Sequence, residues 1–258
     1  MVKNIGCSRY TGEKNKDLLS FMNVIVNIVN KIHRSQKYNL PFQYIDLTSG
    51  CGFDPTTGKP SSPLLVTNLF KEKKLYFNAH FIEKEKANLI QLEKRLEVPS
   101  KLIHTYHANS EEQAPKIIEK LSSSNRSHGL IYCDPNPGKV DHGLFQMMAC
   151  LISKNPEKMK KIDVMLYVAA EKEKQSPSFL QILESIQKKH WIIRQPIGRH
   201  QWSLCFGSNY QIGDWKKKGF FSAKSSEGMA IFERMNLTAK EQKELPPLPG
   251  SPVQLCLF

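Results

Sequence analysis

The chain has 258 residues, of which 40% are hydrophobic and 24% charged, as expected for a globular protein with one sizeable core. No apolar run reaches the roughly 18 residues of a membrane span, and the N-terminus lacks the apolar core of a signal peptide, so we expect a cytoplasmic protein without membrane contact. A net charge of +13, from 37 basic and 24 acidic residues, favours a polyanionic partner, nucleic acid above all.

The hydrophobic pattern predicts an alternation of helices and strands. An amphipathic helix is predicted over 18–32. Predicted strands follow at 42–47, 75–82, 102–107, 130–133 and 162–169. The helices between and after them are predicted at 64–70, 84–96, 111–121, 142–153 and 178–188. Two more strands, 191–194 and 202–206, flank a turn at 196–198. This order predicts an α/β fold with a mostly parallel sheet, a final antiparallel hairpin and helices on both faces.

The composition changes near the C-terminus. Residues 1–239 read as a single domain that includes the N-terminal helix. The segment 240–258 contains the run Leu-Pro-Pro-Leu-Pro-Gly-Ser-Pro, which cannot continue a helix or a central strand. It is therefore predicted to be an extended, flexible tail.

Two of the predicted strands lead into polar residues at fixed distances. The first is followed by Asp46-Leu47-Thr48-Ser49-Gly50-Cys51-Gly52, and the second by Glu83. Nucleotide-shaped ligands bind beyond the carboxyl ends of such strands, and two glycines let the backbone approach the ligand closely. A nicotinamide-dinucleotide fingerprint needs a third glycine, whereas Pro55 stands at that position.

The remaining pattern, Asp-Leu-x-x-Gly-x-Gly, resembles motif I of S-adenosylmethionine-dependent methyltransferases. The resemblance implies a Rossmann-like methyltransferase fold and S-adenosyl-L-methionine as cofactor. Asp46, Gly50 and Gly52 would border its methionine part, Glu83 would hold the ribose hydroxyls, and Asn109 would contact adenine. A solvated acid at a helix N-terminus is the alternative for Glu83. A plain helix N-cap is the alternative for Asn109.

The segment from Arg9 to Lys16 resembles the Arg/Lys-Tyr-x-Gly-Gly-Lys segment that opens Dam-type adenine methyltransferases. By this resemblance Tyr10 and Lys14 would help to bind the methionine end of the cofactor. Glu13 replaces the second glycine, so the match is partial. A loop that leads into a capped helix is the alternative.

The fourth strand ends in Asp134-Pro135-Asn136-Pro137, where amino-methyltransferases carry Asp/Asn-Pro-Pro-aromatic. An exocyclic amine is a poor nucleophile, so a carboxylate and a backbone carbonyl that bind its hydrogens would activate it. Asp134 and the carbonyl of Pro135 would do this in a preoriented site, with the base turned out of the duplex. Asn136 replaces the second proline and Pro137 the aromatic residue. Asp134 as a turn residue after a strand is the alternative.

Most of the chain, residues 10 to about 210, resembles the three-Cys-motif partner proteins of bacteria and mobile elements. The shared features are Tyr-Ile-Asp-Leu-x-x-Gly-x-Gly, a Ser-Ser-Pro-Leu segment at 61–64, Phe-Ile-Glu and a later Asp-Pro turn. The acceptor of that family is not settled, so this resemblance bears on fold and cofactor.

The last five residues, Gln254-Leu255-Cys256-Leu257-Phe258, resemble the peptide by which bacterial replication and repair proteins bind the sliding clamp. An extended tail can present Gln254, Leu255, Leu257 and Phe258 to a groove as a short linear motif. A tail folded back onto its own domain is the alternative.

Candidate nucleic-acid contacts are Lys216, Lys217 and Lys218, between Trp215 and Phe220, together with Arg199. A lysine-rich surface kept for solubility is the alternative. Six scattered cysteines without a Cys-x-x-Cys pair argue against a metal site.

These features favour an S-adenosylmethionine-dependent enzyme that acts on DNA at adenine N6 and is recruited by the clamp. A separate specificity partner is a further expectation, because the chain has no insertion long enough for a target-recognition domain. A non-catalytic or partner-dependent DNA- and clamp-binding module, and a methyltransferase for RNA or protein, are the other interpretations.

Overall fold

The computed structural model describes residues 11–35, 40–54, 57–96, 101–121, 128–134, 142–169, 179–196, 202–213 and 215–246. The chain divides into two compact units, residues 1–133 and residues 134–258. The assignment of residues 1–239 to a single domain remains a prediction.

The first unit is built on four parallel strands. They are β1 (Phe42–Asp46), β2 (Phe77–Glu83), β3 (Ile103–His107) and β4 (Gly129–Cys133). Their order is β3-β2-β1-β4, and each pair of neighbours is parallel. The helices of this unit are α1 (Thr11–Ser35), α2 (Ser62–Glu72), α3 (Lys86–Arg95) and α4 (Ser110–Lys120). The carboxyl ends of β1, β2 and β4 therefore lie at the same edge.

Burial explains why β1 and β4 form the centre of this unit. Every residue of both strands is buried, as is typical of parallel strands covered on both faces. Tyr44 of β1 packs edge-on against Phe70 of α2 with ring centroids 5.9 Å apart, and it stacks on Tyr132 of β4 at 6.3 Å. Aromatic packing across neighbouring elements thus fixes the position of β1.

Polar side chains of neighbouring strands also contact one another in this sheet. The two ring nitrogens of His80 in β2 lie 3.2 Å from Gln43 Oε1 and 3.1 Å from the Tyr106 hydroxyl. The His80 ring stacks on His104 with centroids 4.9 Å apart. Burial, helped by the charge of His104, lowers the pKa of His80 to about 4. His80 is therefore neutral at pH 7, with both nitrogens near polar partners.

The second unit contains strands in antiparallel pairs. They are β5 (Ile162–Ala169), β6 (His190–Arg194), β7 (Trp202–Ser208) and β8 (Phe220–Ser222), in the order β5-β7-β6-β8. β7 is antiparallel to both β5 and β6, and β8 is antiparallel to β6. The helices are α5 (His142–Lys154), α6 (Pro156–Met159), α7 (Phe179–Ser185), α8 (Ser226–Met235) and α9 (Ala239–Glu244), with a 3-10 turn at Lys216–Lys218.

The order β3-β2-β1-β4 is that of a Rossmann-like parallel sheet, and in the order β5-β7-β6 each pair of neighbours is antiparallel. The predicted fold class, an α/β protein with a mostly parallel sheet and a final antiparallel hairpin, is confirmed. β8, α8 and α9 were not predicted.

The predicted start of the flexible tail at residue 240 is wrong, because it falls inside α9. Thr238 and Glu241 form a capping box: the Thr238 Oγ1 accepts from the Glu241 amide at 3.2 Å, and Glu241 Oε2 accepts from the Thr238 amide at 2.8 Å. Arg234 of α8 donates to the Pro246 carbonyl at 2.5 Å and to the Gln242 carbonyl at 3.3 Å. The described chain is thus folded onto α8 up to residue 246, because capping and the arginine satisfy its backbone groups. Residues 247–258 lie outside the described part.

Candidate functional site

The segment that follows β1 is held between the two neighbouring strands. The Leu47 amide donates to the Tyr132 carbonyl of β4 at 3.0 Å, and the Ser49 amide donates to the Ile82 carbonyl of β2 at 3.1 Å. The turn at residues 47–53 therefore begins at the carboxyl edge of the parallel strands. Ligands of open α/β sheets bind in this position.

The two glycines of the turn have different surroundings. Gly50 has φ +64°, and a Cβ placed on it would meet no atom within 4 Å. Gly52 has φ +79°, and its Cβ would lie 2.8 Å from Leu92 Cδ1. Both conformations favour glycine. Gly50 thus borders open space that a ligand can enter, whereas Gly52 serves the packing of the turn against α3.

The carboxylate of Glu83 is joined to the turn. Its Oε2 accepts from the Gly50 amide at 2.8 Å, and its Oε1 accepts from the Glu85 amide at 2.8 Å. Glu83 is only 8% exposed, so the alternative of a solvated acid does not hold. An ionised carboxylate has about four acceptor positions, which leaves capacity for two further donors. The structure brings together the acid and the glycine that the sequence singled out.

Asp46 also holds this turn in place. It is fully buried, and its two oxygens accept from the Thr48 amide at 3.0 Å and from the Ser62 hydroxyl at 2.8 Å. Ser62 is the first residue of α2. The carboxylate therefore joins the end of β1, the turn and α2.

The segment after β3 approaches Glu83 as well. The Ala108 amide donates to the Glu83 carbonyl at 3.3 Å, and the Ser110 hydroxyl donates to the Leu47 carbonyl. Asn109 lies between them, exposed, at the N-cap of α4, where its side chain makes no capping hydrogen bond. Asn109 thus occupies the N-cap position, but its amide is not used for capping.

Arg95 of α3 contacts the turn and was not predicted. Its Nη1 donates to the Cys51 carbonyl at 3.2 Å, and its guanidinium lies 5.2 Å from the centre of the Phe53 ring. The same nitrogen donates to the Gln91 carbonyl within the helix at 3.2 Å. No sequence signal marks this residue, because its partner is 44 positions away and is a backbone atom.

The N-terminal helix reaches the loop that follows the turn. Asn15 Nδ2 donates to the Pro60 carbonyl at 2.9 Å, which places the beginning of α1 next to Pro60. Lys14, in the same helical turn, is half-buried. Tyr10 lies outside the described residues, so its predicted role stays a prediction.

The remaining predicted residues are only partly described. Asp134 directly follows the last residue of β4 and is half-buried, while Pro135 and Asn136 lie outside the described part, as do Arg199 and the peptide at 254–258. Their predicted roles remain predictions.

The lysines at 216–218 are exposed on the 3-10 turn. Lys216 Nζ lies 3.4 Å from Glu227 Oε1, and Lys218 Nζ lies 4.9 Å from the centre of the Trp215 ring. Lys216 and Lys218 therefore interact with other side chains of the protein. Neither of these two contacts involves Lys217.

Two absences concern the described residues. No three His, Cys, Asp or Glu side chains in these ranges are grouped as metal ligands would be. Within the same ranges, no helix combines the length and the apolar character that a membrane crossing requires.

Comparison with known proteins supports the fold. No protein-family model and no curated protein matches the chain. The protein LPL1258 from Legionella pneumophila is similar in structure, with a TM-score of 0.51 and 12% sequence identity over 81% of this chain and 87% of that protein. At such an identity the likeness shows the fold alone.

Two human proteins are similar at lower TM-scores. The methyltransferase 10 domain containing protein gives 0.40, with 12% identity over 73% of this chain and 82% of that one. The N-terminal domain of METTL16, solved in complex with SAH, gives 0.44, with 14% identity over 76% and 70%. Scores this low add nothing to the assignment of the fold.

Proposed function

We propose that this chain is an S-adenosylmethionine-dependent methyltransferase. The observation that carries the proposal is the hydrogen bond between Glu83 Oε2 and the Gly50 amide at the carboxyl edge of β1 and β2. It joins an acid with spare acceptor capacity to a glycine that borders open space. A ligand with a diol and a charged, compact end suits such an arrangement.

The residues around the turn fit this cofactor in kind. Glu83 would accept from the two ribose hydroxyls, and Asn109 would offer its amide to the adenine. The methionine end would lie along the backbone of Gly50 and Gly52, with Lys14 and Tyr10 near its carboxylate. Asp46 would hold the turn in shape. When bound, the cofactor supplies an electrophilic methyl group on its sulfonium.

For the acceptor we propose adenine N6 in DNA. A net charge of +13 suits a polyanion. Asp134 and the Pro135 carbonyl would bind the two amine hydrogens and direct the lone pair toward the methyl group. The methyl group that the cofactor supplies would pass to the amine nitrogen, which would lose one proton to solvent. Lys216, Lys217, Lys218 and Arg199 would contact phosphates.

The C-terminal peptide suits recruitment to a sliding clamp. Gln254, Leu255, Leu257 and Phe258 would fill the groove of the clamp, and the enzyme would then act on newly replicated DNA. A separate protein would supply target recognition. Co-elution with a bacterial clamp, lost on deletion of residues 254–258, would support this part, and co-elution unchanged by the deletion would refute it.

The second candidate is a non-catalytic or partner-dependent module that binds DNA and the clamp. The replacement of the second proline by Asn136, and of the aromatic residue by Pro137, favours it. RNA or a protein is the alternative acceptor within the first proposal.

The test measures cofactor binding and methyl transfer separately. Calorimetry with S-adenosylmethionine and S-adenosylhomocysteine should show binding that falls about 10- to 100-fold in Glu83→Gln, since a charge-assisted hydrogen bond contributes about 1.5–3 kcal/mol. Glu85→Gln is the matched control, because that side chain is exposed two residues away. Absence of binding by the unmodified protein would refute the proposal.

Methyl transfer is then followed from labelled cofactor to unmethylated DNA, RNA and proteins, with nucleoside mass spectrometry. N6-methyladenine in DNA that disappears in Asp134→Ala supports the enzyme and the role of Asp134. Labelled RNA or protein instead would correct the acceptor. Cofactor binding without any labelled product would favour the partner-dependent module.

A further inference from the structure

A second basic surface lies in the second unit, away from the lysines at 216–218 in sequence. It consists of Lys160, Lys161, Lys189, His190 and Tyr210, and we refer to it as the basic edge. Lys161 is half-buried and the other four side chains are exposed, Tyr210 by 50%.

The strand register places these residues at one end of the strands. In the pairing of β5 with β7, Val164 is opposite Gly207, and in the pairing of β6 with β7, His190 is opposite Ser208. The beginnings of β5 and β6 and the end of β7 are therefore level with one another. Ala169, at the carboxyl end of β5, lies at the opposite end of that strand.

A single side-chain amide ties the segments together. Asn209 Nδ2 donates to the Lys160 carbonyl at 3.2 Å, and Asn209 Oδ1 accepts from the Lys189 amide at 3.2 Å. Two lysines from distant parts of the sequence thus start from adjacent backbone positions. Tyr210 follows Asn209 directly, and its amide donates to the Ser208 hydroxyl at 3.1 Å, which fixes its backbone beside the lysines.

A buried ammonium group lies beneath this edge. Lys188 is 7% exposed, and its Nζ donates to the Met159 carbonyl at 2.7 Å and to the Ile162 carbonyl at 2.6 Å. Burial lowers the pKa of Lys188 to about 8, partly offset by Asp163, so the group is still mostly charged at pH 7. The neighbouring acid, Asp163, has a pKa raised to about 6 by burial.

The basic edge brings three lysines and an exposed tyrosine to the same end of the strands. These lysines carry like charge on neighbouring segments, in which the acids are Asp163, the exposed Glu157 and the exposed Glu184. Like charges gathered on one surface raise the free energy of the unbound protein, and phosphates bound there lower it. An aromatic ring beside cationic side chains is how proteins hold unpaired nucleotides, since a base stacks on the ring while phosphates meet the charges.

We propose that the basic edge binds single-stranded nucleic acid, with a base stacked on Tyr210 and flanking phosphates on Lys160, Lys161 and Lys189. This deepens the proposed function and rests on it only in that nucleic acid is the partner. In this proposal the basic edge docks the strand and takes no part in methyl transfer.

The stacking part is tested by fluorescence anisotropy without cofactor, using labelled 20-nucleotide oligo(dT), oligo(U) and a duplex of the same length. We expect the single strands to bind more tightly than the duplex. Tyr210→Ala should weaken single-strand binding about tenfold, and Tyr210→Phe should keep it, because the ring and not the hydroxyl makes the contact. The DNA and RNA arms show which sugar is preferred. Equal binding by Tyr210→Ala and the unmodified protein would overturn the proposal.

The charge part is tested with two triple variants of equal net charge. Lys160→Glu, Lys161→Glu, Lys189→Glu should weaken binding strongly and reduce the slope of log K against log salt by about 2, near 0.7 for each lost phosphate contact. The control is Lys101→Glu, Lys116→Glu, Lys120→Glu, three exposed lysines of the first unit. An equal loss in the control would mean a general effect of net charge and would overturn the proposal. Thermal unfolding of both triples, and the corresponding glutamine triple, guards against misfolding.

The same series of experiments distinguishes binding to a lipid surface, and failure of the proposed function, from failure of this inference. Binding to vesicles with anionic headgroups that depends on the basic edge, without binding to any oligonucleotide, would overturn the proposal. Oligonucleotide binding that is unchanged in every basic-edge variant would refute this inference and would leave the methyltransferase proposal unaffected. Cofactor binding and methyl transfer are measured independently of both.

Discussion

The guanidinium of Arg95 donates to the carbonyl of Cys51 at 3.2 Å, so that α3 holds the middle of the glycine turn through a side chain. The same group lies over the Phe53 ring at 5.2 Å. One residue therefore contacts the turn at both of these positions, on either side of Gly52. This relationship makes the shape of the turn depend on α3.

Replacement of Arg95 should reduce cofactor affinity. Arg95→Met removes the hydrogen bond and the cation–π contact that Arg95 makes to the turn, each worth about 1 kcal/mol, and should weaken S-adenosylmethionine binding about tenfold. Lys94→Met, at an exposed neighbouring position, should bind normally, and Arg95→Lys should fall between the two. Calorimetry at a temperature well below the unfolding midpoint gives the affinities. A purely structural role would lower the midpoint and leave the affinity of the folded protein unchanged.

Alanine at Gly50 should block the ligand more than it harms the fold. The positive φ costs about 1 kcal/mol for a residue with a Cβ, and the added methyl group would project into the open space beside the turn. We expect a small decrease in the unfolding midpoint and a loss of cofactor affinity of more than tenfold. Gly219→Ala is the matched control, because Gly219 has φ +77° and equally open surroundings in the second unit. Cofactor binding by Gly50→Ala at normal affinity would contradict the proposed site.

Alanine at Gly52 should act through packing. Its Cβ would lie 2.8 Å from Leu92 Cδ1, and overpacking of this kind costs about 1–3 kcal/mol in addition to the backbone strain. A double-mutant cycle with Leu92→Val, measured by urea unfolding, should show that the combined loss is smaller than the sum of the two single losses. Strictly additive losses would show that the two side chains do not collide.

Stability should decrease in mild acid because of His80. Its pKa is about 4 in the folded protein and about 6.5 when unfolded. The unfolded state therefore binds more protons between these values, and the stabilisation present above pH 6.5 is lost as the pH falls toward 4. The full difference amounts to about 3 kcal/mol.

Urea unfolding at pH 7.5, 6.5, 5.5 and 4.5 measures this effect. His80→Gln should flatten the curve between pH 6.5 and 4.5, since the amide does not titrate. His107→Gln, at an exposed position on β3, should leave the curve unchanged. An unaltered pH dependence in His80→Gln would assign the acid sensitivity to other groups.

The strands β1 and β5 could be predicted because a buried strand shows as a short run of hydrophobic residues in the sequence. β5 was predicted with the bounds that the structure shows, and β1 differs by one residue. The elements after residue 208 were not predicted, although Thr238 and Glu241 carry the spacing of a capping box. The prolines farther on dominate the composition of this segment and obscure that signal.

The contacts within the site could be predicted only in part. The order of the motifs placed Glu83 near Gly50, because the carboxyl ends of neighbouring parallel strands must meet. The bond from Ser62 to Asp46 and the bond from Arg95 to Cys51 depend on how α2 and α3 return to the sheet. The angles at which those helices pack against the sheet cannot be read from a single sequence.

The anchoring of the turn by Asp46 and Glu83 also bears on the entropy of binding. Three backbone amides and one hydroxyl are already bonded to these two carboxylates in the protein itself. The conformational freedom of the turn is therefore given up when the chain folds and not when a ligand arrives. A ligand of this turn meets a preorganised surface, so its affinity is set by contacts and desolvation, with little reordering of the backbone that receives it.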